Sequence, residues 1–333
     1  MFAVVGEALV DLVGQRGGQT FVAHPGGSPA NVALGLARLG APVTLTTELG
    51  RDAFGQLITA HLEASGVVVD GGRDPRGATS LAIATLAAGV ASYDFRIAWE
   101  VPTLPPLGVE MRCLHTGSLA TVLAPGSAAV LDLVRRERER ARVTISYDPN
   151  VRPALLGSAD QARPGIEELV ALSDVVKVSD EDLGWLYPGE KYEDVAARWA
   201  ATGPALVVVT RGGEGFYALS RRVELRRPAI PLQLVDTVGA GDSFTGGLLD
   251  GLRRADLVGG ARRDALVAVD EATLVSVLEE AALVAAITCS RPGADPPTRA
   301  ELDTSLAALA RNAQPAQPAQ PAQPAQPAQR GQP

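Results

Sequence analysis

Three small residues and a carboxylate meet in the stretch Asp236-Thr237-Val238-Gly239-Ala240-Gly241-Asp242-Ser243-Phe244. A short apolar run, residues 230–235 broken by Pro231, leads into it. Phe244-Thr245-Gly246-Gly247-Leu248-Leu249-Asp250-Gly251-Leu252 follows and reads as a helix that tolerates close neighbours. A helix start presents unpaired backbone N–H groups and a partial positive charge. At Gly239, Ala240 and Gly241 an anion can approach those groups closely. Asp242 would repel a passively bound phosphate. It makes chemical sense as the group that takes a proton from a hydroxyl attacking that phosphate. The plainer alternative is a Gly-rich turn with Asp242 capping the helix.

A second group lies upstream, in Pro25-Gly26-Gly27-Ser28-Pro29-Ala30-Asn31-Val32. Leu36 and Leu39 continue an apolar helical face from Val32, and Gly40 stops it. Gly26 and Gly27 again permit close backbone approach, and Asn31 offers both donor and acceptor, as a polyol requires. The alternative is an ordinary turn and helix capped by Ser28. Asp11 needs a partner or solvent, and a ring of sugar hydroxyls is one candidate. Turn chemistry explains Asp148-Pro149-Asn150 but not Arg152, and polar groups just past a strand end lie where α/β ligand sites form. Ser179-Asp180-Glu181-Asp182 reads as a helix N-cap with an acidic first turn. Gly212 and Gly215 read as a hairpin turn after a buried strand.

The elements that must hold these groups alternate. Residues 2–5 and 8–13 read as one buried strand containing Glu7 and Asp11. Strands at 43–49, 67–69, 113–117, 143–147, 175–178 and 205–210, with helices between several of them, predict a mostly parallel sheet. Residues 79–87 and 92–97, turned at Gly89, read as a hairpin that joins the stretch 20–23 in a small second sheet. The alternating Arg and Glu residues at 135–140 read as a solvated helix face. Residues 274–289 predict an Ala-rich helix packed on all sides, and 298–310 a last amphipathic one. From 312 onward, Ala-Gln-Pro repeats lack apolar content and predict a disordered tail.

Composition narrows the function. Hydrophobic residues make up 46% of the 333 residues, enough for one large α/β domain. A net charge of -8 argues against nucleic acid or an anionic membrane as the main partner. No run reaches the length of a membrane helix, and no basic leader precedes Glu7, so a cytoplasmic setting is expected. Cys113, Cys289 and the three histidines lack metal-ligand spacing, and both thiols read as buried and inert. No Gly-Lys pair exists, which excludes a Walker-type loop, and Gly6-Glu7-Ala8 does not supply a dinucleotide fingerprint.

Asp-Thr-x-Gly-Ala-Gly-Asp before a glycine-rich helix, together with Gly-Gly-x-Pro-Ala-Asn-x-Ala upstream, resembles the two signatures of the ribokinase-like (PfkB) carbohydrate kinases, closest to their fructokinase form. The resemblance covers about residues 1–311. It implies a ribokinase-like three-layer α/β sandwich with an open, mostly parallel sheet, and a small β-sheet lid from about 12–25 and 79–98. It implies ATP-dependent phosphorylation of a sugar, fructose first. Asp242 would be the base, with Gly239, Ala240 and Gly241 around the transferred group. Asp11, Gly26, Gly27, Asn31, Arg96, Asp148, Asn150 and Arg152 would contact sugar. Lys177, Ser179, Asp182, Thr210, Gly212, Gly215 and Ala282 would serve nucleotide and Mg2+. Asp236, Val238, Thr288, Arg291 and Gly293 would serve a K+ ion. The family usually has Asn and Glu where Ser179 and Asp182 stand. A homodimer through the lid is expected. Competing readings are a 2-keto-3-deoxygluconate kinase, with Arg96 supplying a cation for the acid, a nucleoside kinase, and a non-catalytic sugar sensor on the same scaffold.

Overall fold

The computed structural model describes residues 1–313 apart from 16, 72–76, 88–89 and 102. In chain order the elements are β1 (Phe2–Val5), β2 (Leu9–Gln15), β3 (Phe21–Gly26), α1 (Ser28–Arg38), β4 (Val43–Thr46), α2 (Ala53–Glu63), β5 (Val68–Asp70), β6 (Ser80–Ala87), β7 (Val90–Arg96) and β8 (Cys113–Gly117). Then come α3 (Gly126–Arg140), β9 (Thr144–Asp148), α4 (Pro153–Leu156), α5 (Ala159–Leu172), β10 (Val175–Ser179), α6 (Asp180–Leu186), α7 (Tyr192–Ala200), β11 (Leu206–Thr210), β12 (Phe216–Ser220) and β13 (Glu224–Arg227). The chain closes with α8 (Ala240–Arg254), α9 (Arg263–Val267), α10 (Glu271–Cys289) and α11 (Arg299–Ala313). The turn at Gly89 and the repeats beyond Ala313 lie outside the described residues.

The large sheet has nine strands in the order β13-β12-β11-β10-β9-β8-β1-β4-β5. The pairs from β11 through to β5 are parallel, and β12 and β13 are antiparallel at one edge. Its strands are β-branched and buried on both faces, as parallel strands between two helix layers must be. The pleat shows the layering directly. Phe2, Val4, Leu206 and Val208 pack with α1, α2, α8 and α10, while Ala3, Val5, Val207 and Val209 pack with α3, α5, α6 and α7.

Glycines let three helices on the first face approach closely. A Cβ on Gly247 of α8 would lie 2.9 Å from Ala281 of α10, and Gly246 meets Gly35 of α1. The small residues after Asp242 are therefore packing positions. By length and composition α10 could cross a membrane, with a mean hydropathy of 1.7, contrary to the sequence expectation. Here it is the core helix against α8, with Leu274, Leu278, Ala281 and Val284 buried.

Two other expectations change. Residues 2–13 do not form one strand: the chain leaves the large sheet after Val5, and β2 belongs to a separate four-stranded sheet, β3-β2-β6-β7. That sheet includes the expected hairpin, with β2 and β6 parallel at its centre. Cys289 is only half-buried, whereas Cys113 is fully buried.

Candidate active site

Five parallel strands deliver polar residues at or just beyond their carboxyl ends: Glu7 after β1, Ser118 after β8, Asp148 on β9, Ser179 on β10 and Thr210 on β11. Such a row marks the ligand edge of an α/β sheet. The N-terminus of α8 faces it, carrying Asp242.

Asp242 is buried, at 9% exposure. Ser28 Oγ donates to its Oδ1 at 2.6 Å and Asn31 Nδ2 to its Oδ2 at 2.8 Å. Burial raises the Asp242 pKa above its ordinary value. Ser28, Asn31 and the Lys177 charge oppose that shift, and Asp148 adds to it. The two motifs therefore meet across 214 residues. Ser28 is not a cap: Gly27 is the N-cap of α1, and no side chain bonds there. Gly27 has φ 102°, and a Cβ on it would lie 2.7 Å from the Glu7 carbonyl oxygen. Both the left-handed backbone and the contact require glycine.

At the start of α8, Gly239 is left-handed, φ 74°, and a Cβ on it would strike Ala294 at 2.5 Å. Ala240 N–H turns back to the Thr237 carbonyl at 3.2 Å. Those of Gly239, Gly241 and Asp242 donate to no protein group among the described residues, as expected for a helix start. Lys177 lies beneath, with Nζ 2.8 Å from where a Gly241 Cβ would be.

Asp148 and Lys177 form a buried pair, Oδ2 to Nζ 2.9 Å, with Thr245 Oγ1 at 3.4 Å from the same oxygen. Asp148 Oδ1 has no protein partner. Lys177 keeps its proton: burial works against its charge, and Asp148, with Asp242 and Asp182, together outweigh that effect. Asp182 is pushed up to about 6 by burial and by Asp148. Its Oδ1 accepts the Val151 N–H at 3.1 Å. Ser179 acts as the N-cap of α6, accepting from Asp182 N–H at 3.0 Å, as its simplest reading had it.

Asp11, on β2, is raised to about 6 by burial, with His24 and Arg152 pulling it down and Asp242 pushing it up. Its carboxylate lies over Gly26, where a Cβ would come within 2.2 Å. The charge of Arg152 reaches it, and Arg152 Nη1 donates to Asn150 Oδ1 at 2.7 Å. Arg96 does not join them. The register of the small sheet puts His24, Asp11, Ala82 and Phe95 in one row, and Pro25, Val10, Leu81 and Arg96 in the next. Adjacent rows point to opposite faces. Arg96 therefore points away from the Asp11 face, exposed and paired with Asp94 at 2.8 Å.

The remaining candidates lie to one side. Thr210 ends β11, and Gly212 and Gly215 bound a single turn, Arg211 N–H reaching the Gly215 carbonyl at 2.8 Å. Ala282 packs one side against the core. Asp236 ties two loops together, taking N–H groups from Val238 at 3.1 Å and Gly293 at 2.8 Å. Arg291 is occupied by Asp295 and Glu301, and the Thr288 hydroxyl bonds within α10 to Val284.

Sequence reading missed Glu7 and His115 as members of this site. His115 lies on β8, Nδ1 3.1 Å from Ser146 Oγ, and burial lowers it to about 4, so the ring is neutral. Glu7 reads as a carboxylate inside an apolar N-terminal run, a signal that is present in the sequence but is not tied there to the site.

A buried carboxylate at a helix start whose N–H groups are free would suit group transfer to a hydroxyl, and the surrounding architecture is that of the ribokinase-like kinases. The chain belongs to the pfkB family of carbohydrate kinases, whose pattern matches residues 1–301. It is 33% identical over 270 residues to a fructokinase of Rhizobium leguminosarum bv. trifolii, covering 78% of this chain and 81% of that protein. The fold matches the structure of a Xylella fastidiosa fructokinase with bound ATP at a TM-score of 0.83 and 28% identity, over 93% of this chain and 98% of that one. It also matches a double-mutant fructokinase of Vibrio cholerae O395 in a fructose, ADP and potassium ion bound form, at a TM-score of 0.74 and 25% identity, over 91% and 97%. The protein is an ATP-dependent carbohydrate kinase.

Proposed function

We propose that the protein transfers the γ-phosphoryl group of ATP to a primary hydroxyl of fructose, giving fructose 6-phosphate. The observation that carries this reading is Asp242: buried, hydrogen-bonded by Ser28 and Asn31, and set at the start of α8. Asp242 takes the hydroxyl proton as the sugar oxygen bonds to the γ-phosphorus. The bond to the bridging oxygen breaks and ADP leaves. The helix-start N–H groups of Gly239 and Gly241 hold the charge that spreads over the transferring group, with Lys177 beneath them. Asp11, Asn150 and Arg152 meet the sugar, and the four-stranded sheet serves as its lid. The turn at 210–215 and the flank of α10 at Ala282 receive the nucleotide.

Magnesium fits the oxygen donors present: Asp148 has a buried Oδ1 with no protein partner, and Asp182 lies beside it. When bound, the ion neutralises phosphate charge. Potassium fits the two loops that Asp236 joins, with Val238 and Gly293 nearest that carboxylate. Thr288 and Arg291 would contribute through backbone carbonyls only. Pairing of two chains through their lids and a cytoplasmic setting complete the proposal.

The test is ADP release from MgATP against fructose, 2-keto-3-deoxygluconate, ribose, adenosine and no sugar, with and without potassium. Saturable turnover with fructose alone supports the reading. Preference for the keto acid moves Arg152 into carboxylate recognition, since Arg96 points elsewhere. Silence across the panel with sugar binding intact points to a sensor.

A further inference from the structure

Glu7 has no part in the proposed chemistry, yet it is a carboxylate with only 3% exposure between the first sugar motif and the ends of two strands. It accepts the Ala120 N–H at 3.0 Å. Ala120 lies in the turn that Ser118 opens, and Ser118 and the charge of Arg152 are near enough to act on the carboxylate. Ser118 Oγ in turn receives Asn150 Nδ2 at 3.5 Å, and Asn150 Oδ1 receives Arg152 Nη1 at 2.7 Å. The donors run from Arg152 through Asn150 to Ser118, and Glu7 holds the turn that Ser118 opens through the Ala120 N–H.

The direction matters. An acceptor for its NH2 group favours the Asn150 orientation that offers its oxygen to Arg152. Ser118 Oγ serves as that acceptor. Ser118 and Asn150 are also both left-handed, with φ 53° and 39°. Non-glycine residues hold such backbones only when their surroundings fix them. The bond from Ala120 N–H to Glu7 fixes the turn that begins at Ser118.

We infer that Glu7 is a positioning residue. It orients the Ser118–Asn150 relay that holds the Arg152 guanidinium in place for the sugar and the transferring phosphoryl group. This rests on the proposed role of Arg152. Burial pushes the Glu7 carboxyl up to about 7, so the relay is at full strength above that pH.

The test is a double-mutant cycle at about pH 8 with Glu7→Gln, Arg152→Ala and the pair, reading kcat/KM for sugar after thermal melting has confirmed the fold. Glu7→Gln keeps volume and an acceptor but loses the charge. The expected loss is roughly tenfold, about the worth of one charge-assisted hydrogen bond, and it disappears in the Arg152→Ala background because the two act as a unit. A Glu7→Gln loss that persists undiminished beside Arg152→Ala overturns the proposal and leaves the role of Arg152 standing, as does a Glu7→Gln enzyme with wild-type kinetics. An Arg152→Ala enzyme of full activity removes the parent reading and the proposal together. Should Glu7→Gln fail to fold, the same cycle on Ser118→Ala carries the same outcomes.

Discussion

Replacing Ser28 with alanine removes one of the two side-chain bonds that keep Asp242 ionised. The 2.6 Å bond runs to Oδ1 inside a buried site, while Asn31 holds Oδ2 at 2.8 Å and Lys177 supplies a positive charge nearby. A hydrogen bond to a charged group is worth ~1.5–3 kcal/mol. That energy favours only the ionised carboxylate, so its loss raises proton affinity, at 1.36 kcal/mol for each pH unit. With Asn31 and Lys177 still in place, the lower end applies, and the acid limb of kcat/KM should move up by about one unit. Alanine suits the start of α1 and would leave only a small void in place of the hydroxyl, so turnover above the limb should change little. The assay is steady-state ADP release with fructose across the acid and neutral range, wild type against Ser28→Ala. Asp11 and Asp182 also titrate, each near 6. Only a limb that moves with Ser28 belongs to Asp242. An unmoved limb, or one displaced to lower pH, would refute the argument that this hydroxyl helps keep the base ionised.

Asp148→Asn leaves the Lys177 ammonium buried without its counter-charge and should cost ~3–5 kcal/mol of stability in urea unfolding. Adding Lys177→Met should recover most of that loss, and an Asp148→Asn protein as stable as wild type would count against the buried pair. Glu7 makes stability depend on pH in a definite direction. Its pKa is raised from 4.5 to about 7 by folding, so the folded state holds the proton more tightly. Its contribution is fully present below 4.5, is lost as pH rises towards about 7, and amounts to roughly 3 kcal/mol. Glu7→Gln should flatten this part of the stability profile measured by chemical denaturation, and an unchanged slope would show that the carboxyl is not so perturbed.

The parts of the site readable from sequence are those in which neighbours along the chain are also neighbours in space. Gly239 to Asp242 form one turn, and Gly26 to Asn31 another, so residue type and spacing sufficed. The hairpin at 79–97 was legible from alternation and turn residues, but its parity was not. A shift of one residue moves a side chain to the other face, and that separates Arg96 from Asp11. The bond from Ser28 to Asp242 spans 214 positions, and nothing local distinguishes it from a helix cap. Lys177 and Asp148 became partners only once β9 and β10 paired. Glu7 was legible as a carboxylate in a buried strand, but strand periodicity reports burial and not what the buried group bonds. Helices α5 and α7 and strand β13 were not anticipated. Pro164 lies inside α5, and β13 is a short edge strand dominated by charge.

The most direct test of phosphoryl transfer by Asp242 is the turnover of Asp242→Asn, with sugar affinity measured separately by calorimetry. A positioned general base contributes ~100- to 10,000-fold, so kcat should fall by that order while sugar binding changes little. Near-wild-type turnover in the Asp242→Asn enzyme would contradict the assignment of the base.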